Sequence, residues 1–407
     1  MKITEGGINA PKGFEAAGVC AGVKYENRKD MAIIYSQAPC VVAGTFTSNK
    51  VKAAPVKWDM DIVHNSPKVH AVIVNTGIAN AGTGKEGMDY CRMSAEYASS
   101  KLGIGPKEVL IGSTGVIGAK LPMDRIKAGI DKLVMAKSDR KEDGTDASKA
   151  IMTTDTVNKE LAVTIDIKGK EVTIGAMSKG SGMIHPNMCT MLGYVTTDAV
   201  IDKELLQKLL SEDVMDTYNM ISVDGDTSTN DTLLVMANGL AGNEKITEGT
   251  PEYEEFKEAL HFVNETQAKR LAGDGEGANA LIECKVINAD TKENARKLAK
   301  SVICSSLTKA AVFGHDANWG RILCALGYSG ADFDPDNMEL YYQGSAGSML
   351  IYKDGTGTDY SEEEASKLLA EKEVRFLVDI KNGDESATAW GCDLTYDYVK
   401  INADYRS

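Results

Sequence analysis

The sequence predicts a layered fold in which buried strands and helices follow one another along the whole chain. Two observations support this: short apolar runs end in glycine or polar turns, and longer segments carry apolar residues at helical spacing. The 407 residues are 43% hydrophobic and 26% charged, which is enough apolar material for a large core and favours two domains over one. Periodicity by itself leaves α/β and α+β layering open.

In the first half of the chain, apolar or alternating runs predict strands at 69–75, at 108–115 and on both sides of a turn within 161–177. Apolar residues at helical spacing predict helices at 88–103 and 122–135. Gly103 is suited to end the first helix and Pro122 to open the second, since glycine is favoured just after a helix and proline in its first turn. The polar stretch 137–149 is predicted as a surface loop.

The second half continues the mixture. Helices are predicted at 203–220 and 251–270, and capping boxes at Asp290–Glu293 and Ser361–Glu364 predict the starts of two more. Strands are predicted at 280–289 and 373–380, and a loop at 242–251. The final segment, 387–407, alternates and predicts a strand that ties down the C-terminus.

Composition also limits the classes of partner that the chain is expected to bind. The formal net charge is −14, and such an acidic chain repels the phosphates of nucleic acids and anionic membranes. The first residues lack the apolar core of a secretory signal, and no run approaches the length of a membrane span. These features predict a cytoplasmic protein that binds neither nucleic acid nor membrane.

The usual site motifs are weak in this chain. The glycine-rich stretch 273–278 follows a predicted helix and precedes a predicted strand, the reverse of the context of a dinucleotide fingerprint. The five histidines have no metal-ligand spacing, and the eight cysteines include no C-x-x-C pair, so neither a metal nor a redox framework is predicted.

The stretch KGSGMIHPNMCTMLGYVTTDA, residues 179–199, is the strongest candidate for chemistry. A threonine hydroxyl can attack the carbonyl of the preceding residue, turn the peptide bond into an ester and, after hydrolysis, leave a free α-amine. Thr190 follows the small residue Cys189, and Gly180 and Gly182 permit unusual backbone angles upstream. The freed amine, with a reference pKa of about 7.7–8.0, can act as the base for its own hydroxyl. Most threonines before apolar runs are helix caps or strand residues instead.

This stretch and six other segments, in chain order, resemble the ornithine acetyltransferase family of arginine biosynthesis. The segments are 6–24, 75–84, 113–118, 179–199, 274–283, 314–322 and 398–407. The resemblance implies an α/β fold of layered sheets flanked by helices, with two related domains. It also implies self-cleavage between Cys189 and Thr190 into an α chain (1–189) and a β chain (190–407), which would assemble as an α2β2 heterotetramer.

The resemblance assigns roles to individual residues. Thr190 matches the nucleophile, and Thr114 and Gly115 match the pair that forms the oxyanion hole through a hydroxyl and a backbone N–H. Lys179 would hold a substrate carboxylate and Glu276 the ammonium of ornithine. The full set of matched substrate contacts is Thr156, Lys179, Thr190, Glu276, Asn402 and Ser407.

The chain departs from the family pattern at three places. Cys189 stands where alanine is usual, Ser407 where threonine is frequent and Ala317 where proline is common. Cys189 is still small and Ser407 still carries a hydroxyl, so cleavage and the C-terminal contact are expected to survive.

The implied activity is acetyl transfer from N2-acetyl-L-ornithine to L-glutamate, by a ping-pong mechanism through an acetyl ester of Thr190, with no cofactor. Some family members also accept acetyl-CoA, and no motif here decides this point. Two alternatives remain. A self-cleaving amidohydrolase or aminopeptidase would share the nucleophile and the oxyanion pair but lack the ornithine contacts, and a non-catalytic binding protein would have no reason to cleave.

Overall fold

The structure is a computed structural model that describes residues 1–185, 191–345 and 347–403. Its described residues form two compact units. The first lies within Met1–Gly180, Pro186–Tyr218 and Thr227–Gln267, and the second within Ser181–His185, Asn219–Asp226 and Ala268–Ser407.

The first unit contains a mixed nine-stranded sheet. Its strands are β1 (Lys2–Thr4), β2 (Phe14–Val19), β3 (Met31–Phe46), β4 (Val69–Ile78), β5 (Val109–Val116), β6 (Lys159–Ile167), β7 (Lys170–Lys179), β8 (Leu192–Thr197) and, after a short strand of the second unit, β10 (Thr232–Ala237). They pair in the order β1-β6-β7-β8-β10-β3-β4-β5, and β2 pairs with β3. The pairs β8–β10 and β4–β5 are parallel. Because β5 is the last strand in the order, the sheet ends with two strands, β4 and β5, that run in the same direction.

Helices flank this sheet. They are α1 (Ala54–Asn65), α2 (Gly84–Leu102), α3 (Met123–Ala136), α4 (Lys141–Ala150) and α5 (Lys203–Asp213), with 3₁₀ turns at Pro106–Glu108 and Tyr218–Met220. Helices α1 and α2 pack on β5, α3 and α4 on β2, and α5 on β3. Strand β4 is buried along its whole length, since it lies between two strands and beneath helices. Each fully buried Val or Ile side chain of such a strand contributes about 1.5–3 kcal/mol.

The second unit is built on a seven-stranded sheet. Its strands are β9 (Ile221–Ser222), β11 (Leu281–Ala289), β12 (Glu339–Gly344), β13 (Gly347–Lys353), β14 (Thr356–Gly357), β15 (Glu373–Asp379) and β16 (Glu385–Cys392), paired in the order β14-β13-β12-β15-β11-β16-β9. The helices are α7 (Lys292–Cys304), α8 (Ser306–Phe313), α9 (Trp319–Gly327), α10 (Glu362–Leu369) and α11 (Tyr396–Ala403). Helix α6 (Pro251–Gly273) contributes residues to both units.

The layered fold and most of the predicted elements are confirmed. The predicted strands and helices correspond to β4, β5, α2, α3, the β6–β7 hairpin, α6, β11 and β15. Gly103 follows α2 in the left-handed conformation, with φ of 72°. The hairpin turn, Lys168-Gly169, has φ of 51° and 80°, as a two-residue type I′ turn requires. Ser361 caps α10 by accepting a hydrogen bond from Glu364 N.

Two predictions near helix ends are wrong. The helix predicted at 203–220 ends at Asp213, and a short 3₁₀ turn follows. Asp290 does not cap α7. Thr291 does, because its side chain accepts the Asn294 N–H.

Two larger predictions are wrong for physical reasons. The stretch 137–149 is not a loop, because it contains most of α4. The buried face of this helix consists of small residues such as Gly144 and Ala147, so no apolar stripe marks it in the sequence. The C-terminal segment leaves the sheet at Cys392 and forms α11, where the Thr395 hydroxyl accepts the Tyr398 N–H and starts the helix. None of the described helices combines the length and apolar character needed to cross a lipid bilayer.

Candidate active site

The predicted oxyanion pair lies at the carboxyl end of β5, and both residues are partly buried. The parallel register places Thr114 beside Thr76 and Gly115 beside Gly77. Gly115 has φ of +132°, and a Cβ at this position would lie 2.2 Å from the carbonyl carbon of Gly77. The close approach of the two backbones therefore requires glycine here.

Strand β5 is the last in the order of its sheet, so its outer backbone groups face away from β4. Side chains of α1 bind these groups in turn: Trp58 Nε1 donates to Val109 O at 3.0 Å, and Asp59 Oδ1 accepts from Ile111 N at 2.8 Å. Because backbone groups repeat every two residues in a strand, the N–H of Gly115 points to the same outer side as that of Ile111. This orientation is compatible with the oxyanion role that the resemblance implies for Gly115.

A buried cation lies beside the oxyanion pair. Lys179, at the end of β7, is 7% exposed, and its Nζ donates to Thr114 Oγ1 at 3.3 Å. The structure thus brings together two predicted site residues that are 65 positions apart in sequence. A lysine in this place makes the surroundings of the Thr114 hydroxyl positive, which favours bound negative charge.

Asp155 balances this charge, and the sequence did not reveal it. Burial by itself would raise its pKa, but the charges of Lys179 and Lys159 and the Gly180 N–H hold the pKa at about 2. The carboxylate contacts Lys159 Nζ and Gly180 N, both at 2.7 Å. Lys159 is only four residues away, but Lys179 is 24 residues away and the three residues follow no known motif, so the sequence did not mark Asp155 as part of the site. Thr156, a predicted substrate contact, directly follows Asp155 in an exposed bend.

In the second unit, two more predicted residues meet. Asn402 Nδ2, on α11, donates to Glu276 Oε2 at 2.7 Å. Glu276 is 6% exposed, and its backbone N–H donates to Ser181 O at 3.0 Å. A Cβ on Gly182 would lie 2.3 Å from the same carboxylate oxygen, so glycine is needed at 182 for the carboxylate to adopt this position. A buried carboxylate with one amide partner is suited to bind an ammonium group.

Three predicted residues, Cys189, Thr190 and Ser407, lie outside the described residues. The cleavage site and the last substrate contact therefore stay predictions. The described residues provide donors suited to an oxyanion in the first unit and an acceptor suited to an ammonium in the second. The described residues include no cluster of three or more His, Cys, Asp or Glu side chains that could hold a metal ion.

Several known proteins are similar to this chain. A family model described as the ArgJ family matches residues 15–407. The arginine biosynthesis bifunctional protein ArgJ 1 of Clostridium acetobutylicum is 52% identical over 97% of this chain and 96% of its own. The ArgJ protein of Caldanaerobacter subterraneus is 50% identical over the full length of both chains. The crystal structure of the ArgJ protein from Bacillus halodurans, 46% identical, covers 52% of this chain and 97% of its own, with a TM-score of 0.50.

Proposed function

This chain belongs to the ArgJ family and is an acetyltransferase of arginine biosynthesis. We propose that it moves the acetyl group of N2-acetyl-L-ornithine to L-glutamate through an ester of Thr190. The main observation in support of this chemistry is the hydrogen bond from Lys179 Nζ to the Thr114 hydroxyl, beside the Gly115 N–H on the outer side of β5. Such preorganised donors stabilise the negative oxygen of a tetrahedral acyl intermediate.

The first half-reaction forms the ester. The hydroxyl of Thr190 transfers its proton to its own α-amine while its oxygen attacks the acetyl carbonyl carbon. The carbonyl oxygen becomes an oxyanion held by Thr114 and Gly115. When the intermediate collapses, the amide C–N bond breaks, the proton passes to the leaving nitrogen and ornithine departs.

The second half-reaction reverses these steps with another amine. The amino group of glutamate attacks the ester carbonyl, the C–O bond to Thr190 breaks and the hydroxyl regains its proton. N-acetyl-L-glutamate leaves. An ester conserves the acyl group for the second amine, provided that water attacks it more slowly than glutamate does. In this mechanism the proposed substrate contacts are Thr156, Lys179, Glu276, Asn402 and Ser407, with Lys179 holding a carboxylate and Glu276 the ammonium of ornithine.

We further propose that the mature protein consists of an α chain, 1–189, and a β chain, 190–407, with two copies of each in an α2β2 particle in the cytoplasm. The sheet order supports the stable pairing of the two chains. Strands β8 and β10, which follow the cleavage site, lie between β7 and β3, which precede it. Hydrogen bonds of the sheet would therefore hold the chains together after the cut.

The test of the function is an assay with N2-acetylornithine, with and without glutamate. We expect release of ornithine to depend on glutamate and to match the N-acetylglutamate formed. Equal release in both samples would indicate a hydrolase, which is the main alternative. Replacing the donor by acetyl-CoA in the same assay shows whether the enzyme also performs the second reaction found in some family members.

Glu276→Ala and Glu276→Gln should weaken binding of acetylornithine. The loss of a charge-assisted hydrogen bond costs about 1.5–3 kcal/mol, so we expect the KM for acetylornithine to rise by about 10- to 100-fold. Self-cleavage should continue at the wild-type rate. Glu339→Gln is a matched control, since Glu339 pairs with Lys381 on the same unit and has no role in the proposal. Normal KM values in both Glu276 variants would remove this residue from the substrate site.

A further inference from the structure

Asn230 lies two residues before β10, and its side chain binds β5, the strand that contains the oxyanion pair. Its Nδ2 donates to Ser113 O at 2.8 Å and to Ala79 O at 2.6 Å, and its Oδ1 lies 2.6 Å from the Thr229 hydroxyl. The side chain is 7% exposed. The amide group of asparagine has two hydrogens, and these two carbonyls use both of them.

One carbonyl directly precedes the oxyanion pair, and the other belongs to a residue that binds the backbone just after the pair. Ser113 directly precedes Thr114, and its carbonyl is on the outer edge of β5, as is the N–H of Gly115. Ala79 donates its N–H to Val116 O at 3.0 Å, just after the pair. The side chain of Asn230 therefore holds the backbone before the two donors directly and the backbone after them through Ala79.

Asp231, the next residue, holds the strand that follows the cleavage site. It is 1% exposed, and the Met191 N–H lies close enough to its carboxyl group to act against the rise of its pKa. Thr232 N donates to Met191 O at 2.9 Å, so residues 231 and 232 lie against the two backbone groups of Met191. Met191 directly follows Thr190 in the chain. Burial raises the pKa of Asp231 well above its usual value, which is opposed by nearby hydrogen-bond donors and by the charge of Lys179.

These two places belong to one sheet but are not neighbours in it. Strand β8 begins just after Met191, and β10, β3 and β4 lie between β8 and β5 in the pairing order. Asn230 and Asp231 provide the connection through side chains instead. Because they are consecutive, their Cα atoms are about 3.8 Å apart, which leaves little freedom between the two contacts.

We propose that Asn230 and Asp231 are positioning residues for the acetyl transfer: they set the distance between the oxyanion donors of β5 and the start of β8. This inference rests on the proposed function. Neither residue needs to touch the substrate, since Asn230 acts through Ser113 and Asp231 through Met191. A displacement of about 1 Å between reacting groups can cost about 100-fold in rate, so the effect of losing either contact should appear in kcat.

The first test compares Asn230→Ala and Asn230→Asp with Asn243→Ala. Asn243 is also a buried asparagine that joins backbone groups, Val200 N and Glu244 O, but it lies beyond the other end of β8. We expect both Asn230 variants to lower kcat by about 10- to 100-fold, per cleaved enzyme, with KM within about twofold of wild type. Asn243→Ala should keep wild-type kcat and KM. Unchanged kcat in the Asn230 variants, or the same loss in Asn243→Ala, would overturn the proposal for Asn230.

The second test compares Asp231→Ala with Asp231→Asn. An asparagine keeps an oxygen acceptor for the Met191 N–H, so it should recover most of the kcat that alanine loses, and the pH profile of kcat should keep its wild-type shape. If both variants lose the same activity, or if the pH profile changes in Asp231→Asn, Asp231 acts through its charge or its proton and the positioning role is wrong.

The wild-type assay separates this inference from the function on which it rests. Wild-type protein that transfers no acetyl group contradicts the proposed function. Wild-type protein that transfers normally, together with variants that do so equally well, contradicts only the positioning role. The cleaved fraction, read by intact mass for every variant, distinguishes slower catalysis from slower maturation.

Discussion

Thr190→Ala should leave the chain uncut at 43.6 kDa and should abolish acetyl transfer. The substitution removes the hydroxyl that is proposed to attack twice, first the peptide bond before it and then the acetyl group. Loss of a covalent nucleophile typically lowers kcat by about 10⁴- to 10⁶-fold, which brings the rate to the background of the assay. No other proposed substitution in this chain should have a larger effect.

Mass spectrometry of intact, freshly purified protein tests both parts of this expectation. Wild-type protein should give two fragments, of which the C-terminal one begins Thr-Met-Leu-Gly. Incubation with acetylornithine, without glutamate, should add the mass of one acetyl group to that fragment and to no other. Addition of glutamate should remove it.

Thr190→Ser is the matched control, because serine keeps the hydroxyl and loses only a methyl group. It should still cleave and still acquire the acetyl group. Acetyl transfer by Thr190→Ala at the wild-type rate would show that another group is the nucleophile. A wild-type fragment that begins at another residue would place the cut elsewhere.

The sequence predicted the elements that have a periodic apolar pattern and failed where burial involves small or polar residues. Strand β4 contains a run of apolar residues that is easy to recognise, but α4 buries glycine, alanine and serine. At the C-terminus, the alternation extended past Cys392, and the capping threonine that starts α11 gave a weaker signal than the alternation did.

The site depends on contacts between distant residues, and periodicity carries no information about these. Lys179 and Thr114 are 65 residues apart, and Glu276 and Asn402 are 126 apart. Only the family resemblance predicted that they belong to one site. The structure places each pair within hydrogen-bonding distance.

Asn230 and Asp231 were missed. They lie in a polar stretch that looks like an ordinary loop, and their partners are backbone groups, which any sequence supplies.

Gly115→Ala should inactivate the enzyme while leaving the nucleophile in place. A Cβ at this position would lie 2.2 Å from the carbonyl carbon of Gly77 and 2.6 Å from Ile78 N, both backbone atoms that no side-chain rotation can move away. The φ of +132° is also a conformation that alanine rarely adopts. Strand β5 must therefore shift away from β4, and the Gly115 N–H moves from the position in which it is proposed to bind the oxyanion. Misplacing one oxyanion donor costs about 10²- to 10³-fold in kcat.

Gly118→Ala separates this effect from the general cost of a positive φ. Gly118 lies three residues further along and has φ of +84°, and a Cβ added to it would meet no atom within 4 Å. Both substitutions should lower the Tm, through backbone strain of about 1–3 kcal/mol each, but only Gly115→Ala should lose activity. The measurement is kcat per cleaved enzyme together with Tm for both variants. Equal kcat in the two would mean that the Gly115 N–H does not bind the oxyanion, since the strand would then have moved without consequence for the reaction.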